Sequence, residues 1–220
     1  WWVFDEIVNE DGDAETLAGQ IKARCAEWDA RVQAVRPGAA MAYSFKGDPE
    51  LAESVVKYDE KNGTWITPIS DPYLPIMYAT VNLWDYLGKG LDKRWVSVSV
   101  CQTATTEDFL RAGRALGEAI RDSDRKVLLL ASGALSHTFY KLRDLRKHEA
   151  SDPIHIFSPE ARAADEERIE WFKAGDHKRV LETMPEFLKF KPEANFSHYL
   201  TMAGAIGEEA NTSKGEMYSD

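Results

Sequence analysis

The sequence predicts an α/β fold with a central, mostly parallel sheet flanked by helices and a helical C-terminal third. The middle of the chain alternates helical patterns with short apolar runs, and this order favours parallel strands with helices packed on their faces. From Ser158 onward only helical patterns follow. The chain has 220 residues, which is enough for one domain with a sizeable hydrophobic core.

The first part of the chain predicts a helix, a short strand and a second helix. Residues 13–35 carry one apolar stripe at helical spacing, formed by Leu17, Ile21, Trp28, Val32 and Val35. Residues 39–44 form a short apolar run that predicts a strand. Asp48 and Pro49 predict a helix start, with aspartate as the N-cap and proline in the first turn. This helix is expected to end near Asn62-Gly63.

The central elements alternate in type. Residues 65–75 contain three prolines and predict an extended loop, and residues 78–87 predict a helix. Residues 95–100 alternate apolar with small polar side chains, which indicates a strand. A helix is predicted from Thr105 or Thr106 to Arg121. The run Val127–Leu130 is short and wholly apolar, as in a buried parallel strand.

The last third predicts helices only. Ser158-Pro159 opens a charged amphipathic helix that runs to Phe172. Residues 176–183 and 185–190 predict short helical pieces, and residues 195–210 predict a final helix. The polar connection at residues 141–159 is long enough to be a functional loop or lid.

Charge and cysteine content exclude several classes of partner. The net charge of −10 disfavours nucleic acids and anionic membranes, because their phosphates attract basic surfaces. No apolar run approaches the roughly 18–20 residues that span a bilayer. Cys25 and Cys101 lie far apart and show no zinc-site or disulfide spacing. We therefore expect a cytoplasmic protein with no nucleic-acid or membrane partner.

His137 is the first candidate for chemistry. It follows the predicted strand Val127–Leu130 and the small residues of Ala131–Ala134. Ligands of open α/β sheets bind just outside the carboxyl ends of the strands, and histidine titrates near neutral pH. His137 is therefore well placed for proton transfer. The alternative is that it caps a helix or fills a polar niche.

The other candidates can be explained by structural roles that involve no chemistry. No two histidines have HxxxH or HExxH spacing, and we expect His148 and His177 at the surface. Glu193 precedes a largely apolar helix and could simply be a solvated acid favoured by the helix dipole. Tyr78 could be a core aromatic residue. The turn at Ser132 lacks the GxSxG pattern of serine hydrolases.

Residues 127–139 resemble the strand and SGxLSH turn of the class III (LigB-type) extradiol ring-cleaving dioxygenases, and within that family the 3,4-dihydroxyphenylacetate (homoprotocatechuate) 2,3-dioxygenase branch. Further blocks resemble segments of the family in the same order. They comprise residues 47–51, 74–80, 95–101, 113–120 and 191–205. The resemblance extends from about Tyr43 to the end of the chain.

The resemblance implies an activity and a set of site residues. Members bind Fe(II) through two histidines and one glutamate, the facial triad of non-haem iron oxygenases. By this resemblance Glu193 is a metal ligand, His137 is the acid–base residue, and Tyr78 contacts the substrate oxygens. The implied reaction is O2-dependent extradiol (meta) cleavage of a catechol such as 3,4-dihydroxyphenylacetate, in aromatic catabolism. The implied partners are the catechol and O2, within a homo-oligomer or a hetero-oligomer.

The sequence departs from the family at the iron ligands. In the family both histidines come from the N-terminal part, whereas here no histidine precedes His137. One interpretation is that residues 1–220 are a single extradiol-dioxygenase-like domain that is incomplete at both ends. A second is a catalytically silent, metal-free subunit of a heteromeric aminophenol- or protocatechuate-type enzyme. A third is a triad rebuilt from Glu193, His198 and one other histidine.

Overall fold

The structure is a computed structural model. It describes residues 46–62, 66–69, 78–84, 92–138 and 158–218. It also describes a few isolated positions between 19 and 34, and residues 87, 140, 141, 144 and 156. The chain divides into two compact units, one of Trp1–Asp48 and Ile69–Ser97 and one of Pro49–Pro68 and Val98–Asp220.

The first unit contains a parallel strand pair and a short helix. Strand β1, Lys46–Gly47, pairs in parallel with β2, Arg94–Trp95. An ion pair of 2.5 Å between Lys46 Nζ and an Asp92 carboxylate oxygen flanks this pair. In the same unit the described positions between 19 and 34 are helical and exposed, in agreement with the predicted first helix. The apolar stripe of that helix and the predicted strand at 39–44 lie outside the described residues.

The helices whose bounds lie within the described residues are α1 (Pro49–Asn62), α2 (Tyr78–Leu83), α3 (Thr106–Asp122), α4 (Pro159–Ala174), α5 (His177–Glu182), α6 (Met184–Phe187) and α7 (Ser197–Ile206). Short 3-10 turns at Leu188–Phe190, Glu193–Phe196 and Glu208–Ala210 connect and extend the last of them. All except α2 belong to the second unit. Helices α1 to α7 confirm the helices predicted from residue 48 onward, and their ends lie within a few residues of those expected.

Helices α3 and α7 form the closest pairing of the second unit. A Cβ atom on Gly113 would lie 2.2 Å from the Thr201 carbonyl oxygen, and one on Gly204 would lie 2.2 Å from that of Leu110. Only glycine allows the two backbones to approach so closely. The pairing therefore holds α7 firmly against α3, and α7 begins just after Glu193.

Helix α3 begins at a capping box. The Thr105 side chain accepts a hydrogen bond from the Asp108 backbone, and the Asp108 carboxylate accepts one from the Thr105 N–H at 2.8 Å. These bonds satisfy two of the backbone donors that a helix start leaves without a partner. The capping box explains why the sequence located this helix start well.

Two apolar clusters form the core of the second unit. The larger joins α3 to the C-terminal helices and comprises Phe109, Leu110, Trp171, Val180, Met184, Phe187, Phe196, Tyr199, Leu200 and Ala203. The smaller joins α1 to α3 and comprises Leu51, Val55, Ala115, Leu116, Ala119 and Ala205. Burial of these side chains is the main force that positions α7 and the segment leading into it.

The central sheet predicted from the sequence is not present among the described residues, which contain only the two-residue pair β1–β2. Residues 96–100 and Val127–Leu130 are not strands. Their apolar side chains are exposed, Val98 by 46% and Leu128 by 77%. The prediction that Val127–Leu130 is a buried strand was wrong for this structure, because no described strand pairs with it to form a sheet face. Parallel pairing itself is confirmed at β1 and β2.

In the described part of the chain, no helix combines the length and the apolarity that a bilayer-spanning segment requires.

Candidate functional site

The turn that carries His137 is hydrogen-bonded to the segment that carries Glu193. Ser136 forms an antiparallel bridge with Pro192. The His137 N–H donates to the Lys191 carbonyl oxygen at 3.2 Å, and the Glu193 N–H donates to that of Leu135 at 3.1 Å. The structure therefore brings together two candidates that the sequence separates widely.

The Glu193 carboxylate is anchored to the same turn. Its Oε2 atom accepts a hydrogen bond of 2.7 Å from the Ala134 N–H. Its Oε1 atom accepts no hydrogen bond from the residues that the structure describes. Glu193 is partly buried. The carboxylate is thus oriented by backbone through one oxygen and retains the second for another interaction.

The backbone after Glu193 is strained. Ala194, Asn195 and Phe196 have φ angles of 50°, 55° and 63°. Three consecutive non-glycine residues in the left-handed region cost roughly 1–3 kcal/mol each, and such strain concentrates at functional sites. Burial of the Phe196 ring offsets part of this cost. That ring is 2% exposed and packs edge-on against Phe187, with ring centroids 5.1 Å apart.

His198 packs against the turn and lies near Glu193. A Cβ atom on Gly133 would lie 2.3 Å from the His198 Nδ1 atom, so the imidazole packs directly against the Gly133 backbone. Burial lowers the pKa of His198, and the nearby negative charge of Glu193 opposes this effect. The sequence placed His198 five residues after Glu193, with no reason for the two to share a face. The structure brings them together through the left-handed residues between them.

The His137 ring has a defined tautomer. Its Nδ1 atom lies 2.8 Å from the Thr138 carbonyl oxygen, which can only accept a hydrogen bond. In the neutral ring the proton therefore resides on Nδ1, and Nε2 is the basic nitrogen. His137 is partly buried.

A buried carboxylate lies behind the turn. Asp165 on α4 accepts hydrogen bonds from the backbone N–H and the hydroxyl group of Ser136, at 3.0 Å and 2.5 Å. Burial raises the pKa of Asp165, although the Ser136 hydrogen bonds and the charge of Arg168 oppose the shift. No motif in the sequence identifies Asp165 as a candidate. The helical spacing could have identified it, because Ala161, Asp165 and Arg168 lie four and three residues apart and share the buried face of α4.

Tyr78 is the first residue of α2. Its side chain lies outside the part of the chain that the structure describes. Its predicted contact with substrate oxygens therefore stays a prediction.

His177 is buried, so the prediction that it lies at the surface was wrong. It is 6% exposed, and its Nε2–H donates to the Ser213 carbonyl oxygen at 2.9 Å. Nδ1 accepts from the Tyr199 hydroxyl at 2.9 Å, and burial raises the pKa of that phenol. The cause is local: Asp176 caps α5 and turns the next side chain inward. Both ring nitrogens are engaged. His148 lies outside the described residues.

The described residues do not form a complete metal site. Within that part of the chain, no three His, Cys, Asp or Glu side chains lie close enough together to hold an ion. Glu193 has the donor chemistry of a ligand, and His198 lies beside it. The part of the chain that the structure describes does not supply the two iron-binding histidines that the resemblance implies.

Comparison with known proteins agrees with the resemblance seen in the sequence. Residues 11–220 match the family described as the catalytic LigB subunit of aromatic ring-opening dioxygenase. Over 172 residues the chain is 27% identical to 3,4-dihydroxyphenylacetate 2,3-dioxygenase of Escherichia coli. The match covers 76% of this chain and 60% of that relative, so the chain spans about 60% of the relative's length.

Proposed function

The chain belongs to the LigB family, and on this ground we propose that it acts in the extradiol (meta) cleavage of a catechol by O2. The proposed substrate is 3,4-dihydroxyphenylacetate, the compound named for the Escherichia coli relative. The reaction inserts both atoms of one O2 molecule and opens the ring beside the two hydroxyl groups. No external reductant is needed, because the catechol supplies the electrons. The proposed setting is the catabolism of aromatic compounds.

The observation that carries the proposal is the hydrogen-bonded junction between the His137 turn and Glu193. The Glu193 N–H donates to Leu135 and its carboxylate accepts from Ala134, so an acid–base residue and a carboxylate belong to one rigid unit. Reactions that move a proton beside an anchored carboxylate need this kind of preorganisation. A helix cap or a solvated acid would not need it.

His137 is the proposed acid–base residue. Its Nδ1–H is held by the Thr138 carbonyl oxygen, which leaves Nε2 as the basic atom. Nε2 would take the proton of a catechol hydroxyl group, and the resulting imidazolium would return that proton to an oxygen atom of the product during ring opening. The net proton count of His137 is unchanged after one turnover. Tyr78 would donate a hydrogen bond to a substrate oxygen.

Fe(II) is the proposed cofactor, and when bound it would chelate the catechol and activate O2. Glu193 is the one ligand that we propose. The described residues do not complete the site, and we propose that the two histidine ligands lie outside them. We propose a homo-oligomer, with a hetero-oligomer as the alternative.

A second candidate is a metal-free, catalytically silent subunit of a heteromeric extradiol dioxygenase. The observation that favours it is the position of the five histidines, all of which lie at or after residue 137. In this case the His137 turn would be retained for structural reasons, and a partner subunit would supply the active site.

Anaerobic loading of the full-length protein with Fe(II) separates the two candidates. After gel filtration the iron content is measured, and 3,4-dihydroxyphenylacetate and air are then added. An active enzyme retains iron and yields a yellow ring-opened semialdehyde. Protein that is folded, retains no iron and stays colourless with every catechol and aminophenol supports the silent subunit and refutes the enzyme.

A further inference from the structure

The position of the His137 turn depends on a carboxylate outside the junction with Glu193. Both oxygen atoms of Asp165 are directed at Ser136, one to its backbone N–H at 3.0 Å and one to its hydroxyl group at 2.5 Å. Asp165 and Ser136 are each 6% exposed. These bonds fix the Leu135–Ser136 peptide group and the Ser136 side chain, directly before His137 in the chain.

The Asp165 carboxylate is not explained by pairing with the nearest cation. Arg168 lies one turn further along α4 and is 2% exposed. Its guanidinium group donates instead to the Ala164 carbonyl oxygen and to Thr183, and it stacks over the Phe187 ring. No hydrogen bond joins Arg168 to Asp165. Among the described residues, the hydrogen bonds of the Asp165 carboxylate go to Ser136.

A buried carboxylate at position 165 needs a physical explanation. A buried acid costs free energy unless hydrogen bonds compensate it, whereas alanine at the same helical position would not. The Asp165 side chain is therefore explained by its two hydrogen bonds with Ser136.

The turn is then held from two sides. Ala134, Leu135 and His137 are hydrogen-bonded to the Lys191–Glu193 segment, and Ser136 is hydrogen-bonded to α4. The first set fixes the turn relative to Glu193. The hydrogen bonds of Asp165 fix the position of the turn relative to α4. Helix α4 is itself held in the larger core cluster through Trp171.

We propose that Asp165 is a positioning residue for His137: it holds Ser136 by its backbone N–H and its hydroxyl group, so that the imidazole of the next residue lies at the reacting distance from the substrate. The proposal rests on the proposed function, since it assigns Asp165 to the same site. Asp165 acts through Ser136 and touches no substrate itself.

The test compares three variants of the full-length, iron-loaded protein. Asp165→Ala removes both acceptors and is expected to lower kcat by about tenfold or more, because small misplacements of catalytic groups are costly. KM for 3,4-dihydroxyphenylacetate should change by less than about twofold, since substrate binding is not addressed. Asp165→Asn should retain kcat within about threefold, because its oxygen can accept from the Ser136 N–H while its amide donates to the hydroxyl oxygen. Glu166→Ala, which removes an exposed neighbour on α4, is the matched control and should behave as wild type.

A second readout does not depend on activity. Amide hydrogen exchange at Ser136 should accelerate by about tenfold or more in Asp165→Ala, while exchange at the buried Leu200 stays unchanged. Unchanged exchange at Ser136 would overturn the proposal, and so would faster exchange with an unaltered kcat. If Asp165→Ala does not fold, Ser136→Ala removes one of the two bonds, and wild-type kcat in that variant would count equally against the proposal. A wild-type protein without activity would sink the proposed function instead, and the exchange result would then decide whether Asp165 holds the turn.

Discussion

Substitution of Gly133 by alanine tests the contact between the His137 turn and His198. A Cβ atom at this position would lie 2.3 Å from Nδ1 and 2.4 Å from Cε1 of the His198 ring. Ordinary carbon–nitrogen contacts need at least about 1 Å more. The ring must therefore rotate away, because α7 is locked against α3 by the glycine approaches at Gly113 and Gly204.

We expect Gly133→Ala to lower the free energy of unfolding by about 1–3 kcal/mol, the usual cost of overpacking a tight site. Urea denaturation followed by circular dichroism measures this change. Gly47→Ala is the matched control, because nothing lies within 4 Å of a Cβ atom there. Its free energy of unfolding should change little.

A double-mutant cycle with His198→Ala tests whether the cost of Gly133→Ala comes from the His198 ring. In a His198→Ala background the added methyl group meets empty space, so most of the cost of Gly133→Ala should disappear. An equal cost in both backgrounds would show that the imidazole is not what the methyl group meets. The described position of His198 beside the turn would then be wrong.

The remaining predictions concern the site and the core. His137→Ala should lower kcat by about 10²-fold or more while KM changes little, which steady-state oxygen uptake measures. Glu193→Gln should weaken Fe(II) retention by about tenfold or more without loss of helical signal, which metal analysis after gel filtration measures. Tyr199→Phe should cost about 1–3 kcal/mol in urea denaturation, because it leaves the buried Nδ1 atom of His177 without a donor. Burial raises the pKa of Asp165, so between its ordinary value and the raised one the folded state binds more protons, and the free energy of unfolding falls as pH rises through that window. Asp165→Asn should remove that slope, and wild-type and variant curves that remain parallel from pH 4 upward would contradict the shift.

The helices were predictable because their signals are local. Asp48-Pro49, Thr105 and Ser158-Pro159 mark helix starts by capping chemistry that needs no tertiary context. The apolar runs were less informative. Val127–Leu130 matches a buried strand in composition, yet burial depends on neighbouring strands that the run itself does not specify.

The site was predictable in its members and not in its contacts. His137 and Glu193 emerged from resemblance, whereas their junction depends on hydrogen bonds between segments more than 50 residues apart along the chain. His198 joins them because three left-handed residues redirect the chain, and alanine, asparagine and phenylalanine give no sign of that conformation. Asp165 was hidden because a charged residue on a charged amphipathic helix is normally assigned to its solvated face.

Mass spectrometry of the reaction product is the most direct test of the proposal that this chain cleaves a catechol with O2 and uses His137 as the acid–base residue. The full-length, Fe(II)-loaded protein is mixed with 3,4-dihydroxyphenylacetate in air, and the same experiment is run with His137→Ala. We expect a wild-type product heavier than the substrate by the mass of one O2 molecule, with far slower formation by the variant. Intact catechol after wild-type treatment, or equal rates for the two proteins, would contradict it.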